Sequence, residues 1–264
     1  MKESWVDMSL LKVNNLTKTF GGLTAVSDVD FEIKENELVG LIGPNGAGKT
    51  TLFNLLTGVY QPTEGTIEFT VNGETHELGE KKTHQIGALG VGRTFQNIRL
   101  FKNLSVLDNV LIGMHGEKKS NLFDVFLRTP KFYRAEDEMK EESMKLLEIF
   151  DLHKVYENKA GNLPYGDQRK LEIVRALATK PKLLFLDEPA AGMNANESRD
   201  LVRLIYQIHE NYNVAIVLIE HDMNVIMNIA ERIYVLEYGK KIAEGTPKEI
   251  QQNDRVIRAY LGGD

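Results

Sequence analysis

Hydrophobic and polar positions along the chain change rhythm twice. From about residue 10 to 78 the apolar residues come in short runs or alternate, with Phe31 and Ile33 separated by polar neighbours and Leu38 to Ile42 nearly continuous. Alternation with period two predicts half-buried strands, and a continuous short run predicts a fully buried one. Thr66 to Val71, Asn72-Gly73 and Glu74 to Leu78 predict a hairpin, because Asn-Gly supplies the two positive φ angles of a tight primed turn. Between about 104 and 160 the period becomes helical. Met139, Ser143, Leu146, Leu147 and Phe150 share one helical face, with charged residues around them. From 166 onward helix and strand alternate: a helix near Asp167 to Thr179, a strand Lys182 to Leu186, a helix near Glu197 to Glu210, a strand Val214 to Ile219. Buried strands separated by helices predict an α/β core with a largely parallel sheet covered on both faces. The pattern shows no internal repeat and no long linker. It predicts one domain over residues 10–264, a helical subdomain inserted at about 104–180, and an N-terminal tail, 1–9.

Composition narrows the class. Of 264 residues, 42% are hydrophobic and 27% charged, the balance of an ordinary globular protein. The formal net charge of -6 disfavours non-specific binding to nucleic acid, so no nucleic-acid partner is expected. With no cysteine there are no disulfides, thiolate zinc sites or thiol nucleophiles, which agrees with a reducing cytosol. Met1 to Leu11 carries Lys2, Glu3 and Asp7 and lacks the apolar core of a secretion signal. The longest apolar run, Val214 to Ile219, is far short of the ~20 residues a bilayer span needs, so any membrane role is expected to be peripheral.

The first chemical motif is Gly43-Pro44-Asn45-Gly46-Ala47-Gly48-Lys49-Thr50, which satisfies G-x-x-x-x-G-K-[ST]. It follows the apolar strand ending at Ile42 and opens a helix through Thr51, Leu52, Phe53, Leu55 and Leu56. That strand–loop–helix setting makes the pattern a phosphate site. Glycines let consecutive N–H groups turn inward on an anion, and the helix adds its positive end. Lys49 is predicted to reach the β- and γ-phosphates, and Thr50 to ligate Mg²⁺.

The second motif is Lys182-Leu183-Leu184-Phe185-Leu186-Asp187-Glu188, an apolar strand ending in two acids and broken at once by Pro189. Ligands of open α/β sheets sit beyond the carboxyl ends of the strands, which directs these acids toward the phosphate loop. Asp187 suits Mg²⁺, directly or through water, and Glu188 suits a general base for an attacking water. Three further residues are anonymous alone: Phe20 before Gly21-Gly22, Gln96 in Arg93-Thr94-Phe95-Gln96, and His221 in Ile219-Glu220-His221-Asp222. Singly they read as core, loop and cap.

In chain order, Phe20, the phosphate loop, Gln96, Leu163-Pro164-Tyr165-Gly166-Asp167-Gln168, Asp187-Glu188 and His221 resemble the nucleotide-binding domain of ABC transporters, over about residues 10 to 262. The resemblance implies a P-loop NTPase core with an antiparallel β subdomain and an inserted α-helical subdomain. It implies ATP and Mg²⁺ as ligands. Phe20 would stack on adenine. The backbone from Asn45 through Gly46, Ala47, Gly48, Lys49 and Thr50 to Thr51 would cradle the phosphates. Gln96 would sense Mg²⁺ and water, Glu188 would act as base, and His221 would contact the γ-phosphate. Gly166, at a helix N-terminus, would complete the site of a second ATPase subunit, a copy or a paralogue, in a head-to-tail dimer. Integral permease subunits and, indirectly, an external solute-binding protein would be the other partners. The chain would then lie on the inner face of the plasma membrane as a cytoplasmic, peripheral subunit.

Two departures stand out. The usual signature has serine and glycine where this chain has Pro164 and Tyr165, so the serine hydroxyl is absent. The usual aspartate after the carboxylate strand is Asn194, which with Glu197 also reads as a helix capping box. The strings Leu163 to Gly166, Glu188 to Gly192, Arg93 to Gln96, Ile219 to Met223 and Val256 to Gly262, and the segment Asn121 to Arg134, are similar to ATPase subunits of branched-chain amino-acid importers. ATPases of urea or short-amide importers and of lipopolysaccharide export are near relatives. Two rival classes stay open: a soluble ABC-type ATPase of DNA repair or translation, which usually carries a long coiled coil or two fused domains, and a small-molecule kinase, which would not need Gly166. Leu100, Phe101, Leu122, Phe123 and Phe126 are candidates for a permease-docking surface or for core.

Overall fold

The computed structural model describes residues 9–114, 130–220 and 223–261. The chain clusters into two units, one of 1–93, 182–188 and 205–264, the other of 94–181 and 189–204.

The first unit holds two sheets. Strands β1 (Ser9–Phe20), β2 (Leu23–Lys34), β4 (Glu64–Val71) and β5 (Glu74–Glu77) form an antiparallel sheet in the order β2-β1-β4-β5. The Asn72-Gly73 turn between β4 and β5 has both residues at positive φ, 52° and 80°. The second sheet runs β10-β9-β3-β8-β7-β6, with β3 (Leu38–Ile42), β6 (Val91–Arg93), β7 (Leu183–Asp187), β8 (Ala215–Ile219), β9 (Arg232–Glu237) and β10 (Lys240–Gly245). Neighbours are parallel except the β9–β10 hairpin at one edge. Every residue of β3, β7 and β8 is buried, the expected state of central parallel strands. One apolar cluster joins both sheets to α1 (Lys49–Leu56), through residues such as Phe53, Phe69, Phe185 and Val217.

The sequence pattern did not announce β6, β9 and β10. Val91–Arg93 is too short to show a period. The β9–β10 turn is Tyr238-Gly239, with φ of 46° and 76°, and a tyrosine in the left-handed region carries no Asn-Gly signal. The same unit contains α2 (Thr83–Ala88), and after β9 and β10 the short helices α8 (Pro247–Gln251) and α9 (Asp254–Leu261); α7 (Met223–Ile229) precedes β9.

The second unit contains α3 (Val106–Met114), α4 (Pro130–Ile149) and α5 (Tyr165–Leu177). The predicted face of α4 is the buried one: Met139, Ser143, Leu146 and Leu147 are at most 5% exposed, and Phe150 follows them into the core. A further helix, α6 (Ala195–Tyr212), starts at a capping box. Asn194 Oδ1 accepts the N–H groups of Asn196 and Glu197, both at 3.0 Å, and Glu197 Oε2 accepts the Asn194 N–H at 2.9 Å. The N-cap reading of Asn194 therefore holds. No helix among the described residues is long and apolar enough to cross a membrane. Of the Asn121–Arg134 segment, 121–129 lie outside the described residues, and with them Leu122, Phe123 and Phe126.

The last turn of α6 carries an ionic clamp. His209 is 3% exposed; its Nδ1 lies 3.2 Å from the Val214 carbonyl and its Nε2 3.5 Å from Glu231 Oε1. Glu231 Oε2 in turn accepts the Leu38 N–H at 3.4 Å, so the clamp spans the starts of β3, β8 and β9. Burial pushes the His209 pKa down, but the hydrogen bonds to Glu231 and Val214 and the charges of Glu231 and Glu210 outweigh it and leave it raised. The hydrogen bond from His209 holds the Glu231 carboxyl below its ordinary range. A raised histidine stabilises the fold below its unfolded value of 6.5 and loses that contribution as pH rises through the folded value. A lowered carboxylate stabilises above 4.5 and loses its contribution as pH falls. The clamp is thus worth most between those two values. His209→Gln should cost on the order of 1 kcal/mol at pH 5.5, discounted because Glu231 is largely exposed, and progressively less at pH 8.5 and above. Urea unfolding of both proteins at the two pH values checks this; a pH-independent difference would remove the ionic account.

Candidate functional site

Within the first unit, strand β3 ends at Ile42 and the chain turns into α1 through Gly43 to Gly48. Gly48 has φ 98°, and a Cβ there would meet the Ala25 carbonyl oxygen at 2.5 Å. Both the torsion and the backbone contact exclude a side chain. The loop is braced from outside. Gly239 N–H donates to the Ala47 carbonyl at 2.9 Å, and Ser27 N–H donates to the Gly239 carbonyl at 2.8 Å. The β9–β10 turn therefore supports the phosphate loop, a role the sequence does not signal. No side chain caps α1 at Gly48. Its first helical bond is Leu52 N–H to the Gly48 carbonyl, at 2.9 Å. The amides of Lys49, Thr50 and Thr51 stand ahead of that bond, at the positive end of the helix, where an anion is favoured.

Lys49 is 8% exposed, and its Nζ donates to the carbonyls of Gly43 at 2.6 Å and Pro44 at 3.0 Å. Burial pushes its pKa down, while the carboxylates of Glu188 and Asp187 act in the opposite direction. Lys49 thus lies within the field of both acids. Those acids close β7, whose Asp187 pairs in register with Ile219 of β8, and β8 pairs with β3. Parallel pairing is what brings the carboxyl ends of β3 and β7 to one edge of the sheet. Asp187 is 5% exposed. Glu188 is partly exposed and adopts φ 46°, its N–H donating to the Ile219 carbonyl at 3.0 Å. A non-glycine residue in that region is strained, and the strain sits on the residue expected to act as base. Among the described residues no group of three or more His, Cys, Asp or Glu side chains could hold a metal alone. A divalent ion here would need oxygens from Thr50, Asp187, water and phosphate, which is the ligand set Mg²⁺ favours. The residues present fit both ATP and Mg²⁺.

Phe20, at the end of β1, is 42% exposed, and Asn45 and Gly46 are exposed.

Gln96 and Gly166 belong to the second unit. There Arg169 of α5 is 1% exposed and gathers the Gln96 loop. Its Nη1 donates to the Phe95 carbonyl at 2.6 Å, its Nη2 to the Gln96 carbonyl at 2.5 Å, and Nη1 lies 3.0 Å from Glu172 Oε2. Glu172, also 1% exposed, accepts the Arg99 N–H on Oε1 at 3.1 Å. The buried pair ties both ends of the loop carrying Gln96 to the helix carrying Gly166. An Arg and a Glu three residues apart read from sequence as an ordinary surface pair, so nothing there distinguishes them. Gly166 stands in the first turn of α5, and Pro164 offers no side-chain cap. A Cβ on Gly166 would meet nothing closer than 3.8 Å. Among the described residues no contact requires glycine at that position. Tyr165 packs its ring over Gly192, where a Cβ would meet it at 3.1 Å. His221 lies outside the described residues.

Residues 26–191, more than half of the chain, match the ABC transporter family. The chain belongs to that family. Residues 240–264 match a second family, branched-chain amino acid ATP-binding cassette transporter. The chain is 49% identical over 253 residues to the high-affinity branched-chain amino acid transport ATP-binding protein LivG of Salmonella typhimurium, covering 96% of this chain and 98% of that protein. It is 46% identical over 253 residues to the corresponding protein BraF of Pseudomonas aeruginosa, with the same coverage. Its fold superposes with a TM-score of 0.81 on the crystal structure of the ADP conformation of MJ1267, an ATP-binding cassette of an ABC transporter. Identity there is 32%, covering 97% of this chain and all of that one. The cassette architecture inferred from motif order is the observed one, a mixed α/β core with helices clustered in a separate unit. The family match spans the phosphate loop, the Gln96 loop, the Gly166 segment and the Asp187-Glu188 strand end of this cassette.

Proposed function

We propose that this chain is the ATP-hydrolysing subunit that powers a membrane importer of branched-chain amino acids. The observation that carries the reading is identity of 46–49% along nearly the whole chain to proteins named for that transport. The phosphate loop with Lys49 facing two strand-end acids supplies the chemistry.

Each residue then has a task. Phe20 stacks on the base. The amides from Asn45 to Thr51 and the Lys49 ammonium hold the phosphates. Thr50 and Asp187 would hold Mg²⁺, which would spread the developing phosphate charge when bound, and Gln96 would be a further ligand or sensor of it. Glu188 accepts a proton from the attacking water, and His221 contacts the γ-phosphate. Catalysis is positioning plus electrostatics, with little covalent chemistry for the protein to perform. Gly166 serves a second ATPase subunit in a head-to-tail dimer. A Cβ at Gly166 would make only ordinary contacts with Glu197 and Met193, at 3.8 Å, so the side chains beside it leave room for a partner to approach its backbone.

The helical subdomain, about 104–180, would dock on the permease at the inner face of the membrane. Phe101, just before it, and Leu104 and Ile112 within it are 48%, 39% and 40% exposed and give this surface apolar character. Deleting the chain from its host should abolish high-affinity uptake of leucine, isoleucine and valine, measured with labelled substrates. Intact uptake of these with lost uptake of urea would reassign the substrate.

A further inference from the structure

Phe20 does not stand alone at the end of β1. The segment after α1 is sewn across that end by three hydrogen bonds. Thr63 N–H donates to the Thr17 carbonyl at 2.8 Å, Thr19 N–H donates to Thr63 Oγ1 at 3.1 Å, and Lys18 Nζ donates to the Gln61 carbonyl at 2.7 Å. This stitching delivers Tyr60 to Phe20. The two rings meet edge to face, with centroids 5.2 Å apart and planes at 76°. The Lys18 ammonium, fixed by Gln61, lies 5.1 Å from the Phe20 ring centroid.

Edge-to-face contact sets the positive edge of one ring against the negative face of the other, and a cation near a ring is drawn by the same quadrupole. Both contacts restrict rotation of the Phe20 side chain. Yet the pair is not core: Phe20 is 42% and Tyr60 38% exposed. Two aromatics held in fixed relation and left wet form a preorganised surface for a flat ligand. A stacking side chain that is already oriented loses less rotamer freedom on binding.

We propose that Tyr60, assisted by Lys18, is a positioning residue for the nucleobase, holding Phe20 in its stacking orientation. The inference rests on the reading of Phe20 as the residue that stacks on adenine. It makes the base-dependent part of nucleotide affinity depend on a residue outside the phosphate loop.

The test compares ADP, which carries the base, with inorganic pyrophosphate, which does not; neither is turned over. Titration calorimetry gives Kd for both. Tyr60→Ala should weaken ADP about three- to tenfold and leave pyrophosphate unchanged. Tyr60→Phe keeps the ring and should bind ADP like the wild type. Phe20→Ala with Tyr60→Ala should weaken ADP no more than Phe20→Ala alone, because Tyr60 acts only through Phe20. Equal loss for ADP and pyrophosphate would overturn the inference, since that signals a distorted phosphate loop. Loss on Phe20→Ala with none on Tyr60→Ala would overturn it while sparing the stacking role. No loss on Phe20→Ala would remove the stacking role and the inference together. Both residues are surface-exposed, and thermal melting verifies that each variant is folded.

Discussion

Replacing Glu188 with glutamine is expected to leave a chain that binds ATP and barely hydrolyses it. The amide keeps the size of the side chain, so the φ of 46° and the N–H bond to the Ile219 carbonyl are undisturbed. What is lost is the ionised acceptor, and removing one general base costs at least ~100-fold in turnover. Asp187, Lys49, Thr50 and the loop amides stay in place, so ATP binding survives. Removing one negative charge beside the phosphates also eases closure of two subunits over them. Glu188→Gln is therefore expected to be monomeric without nucleotide and dimeric with ATP. Phosphate release and size-exclusion chromatography in low salt read the two effects. Undiminished hydrolysis would remove Glu188 as base. Tight binding without dimerisation would point to a paralogous partner or to Pro164 as a weakened cross-subunit contact. Adding Pro164→Ser separates these, because a restored hydroxyl rescues only the second.

Lys49→Ala is expected to fail at an earlier step. The ammonium is buried, donates to the Gly43 and Pro44 carbonyls, and feels both Glu188 and Asp187. Deleting it removes the phosphate's main side-chain partner and leaves the two acids uncompensated, so the site becomes repulsive to an anion. A hydrogen bond between charged groups is worth about 1.5–3 kcal/mol, which corresponds to a ten- to hundredfold loss in ATP affinity. Turnover should fall below detection. Because alanine also leaves the loop carbonyls short of a donor, a melting curve must show the variant folded. Wild-type turnover in a folded Lys49→Ala would remove the phosphate-loop assignment. The two variants differ in kind: Glu188→Gln separates hydrolysis from binding, and Lys49→Ala abolishes hydrolysis and weakens binding as well.

The parts of this cassette readable in one dimension are those whose signal is local. A phosphate loop must place glycines, a lysine and a hydroxyl within eight consecutive positions after a buried strand, and Gly43 to Thr50 does so after Leu38–Ile42. An apolar strand ending in Asp187-Glu188 has one edge of the sheet to face. The Asn72-Gly73 turn and the capping box at Asn194 are likewise fixed by their own few residues. Phe20, Gln96 and Gly166 carry no local signal and became readable only through their order.

What tertiary structure alone decided are the supports, because each joins residues far apart in the chain whose types are unremarkable where they stand. Tyr238-Gly239 braces Ala47 across a hairpin that no turn signal predicted. Arg169 and Glu172 look like surface charges, yet α5 buries both under the Gln96 loop. Tyr60 reaches Phe20 because Gln61 and Thr63 are bonded to the end of β1. The sequence by itself determined the fold family and which residues are proposed to meet the phosphates, since those follow from short patterns and their order. Only the folded chain decided what holds them in place, since a supporting contact depends on where distant backbone returns, and local physics does not encode that return.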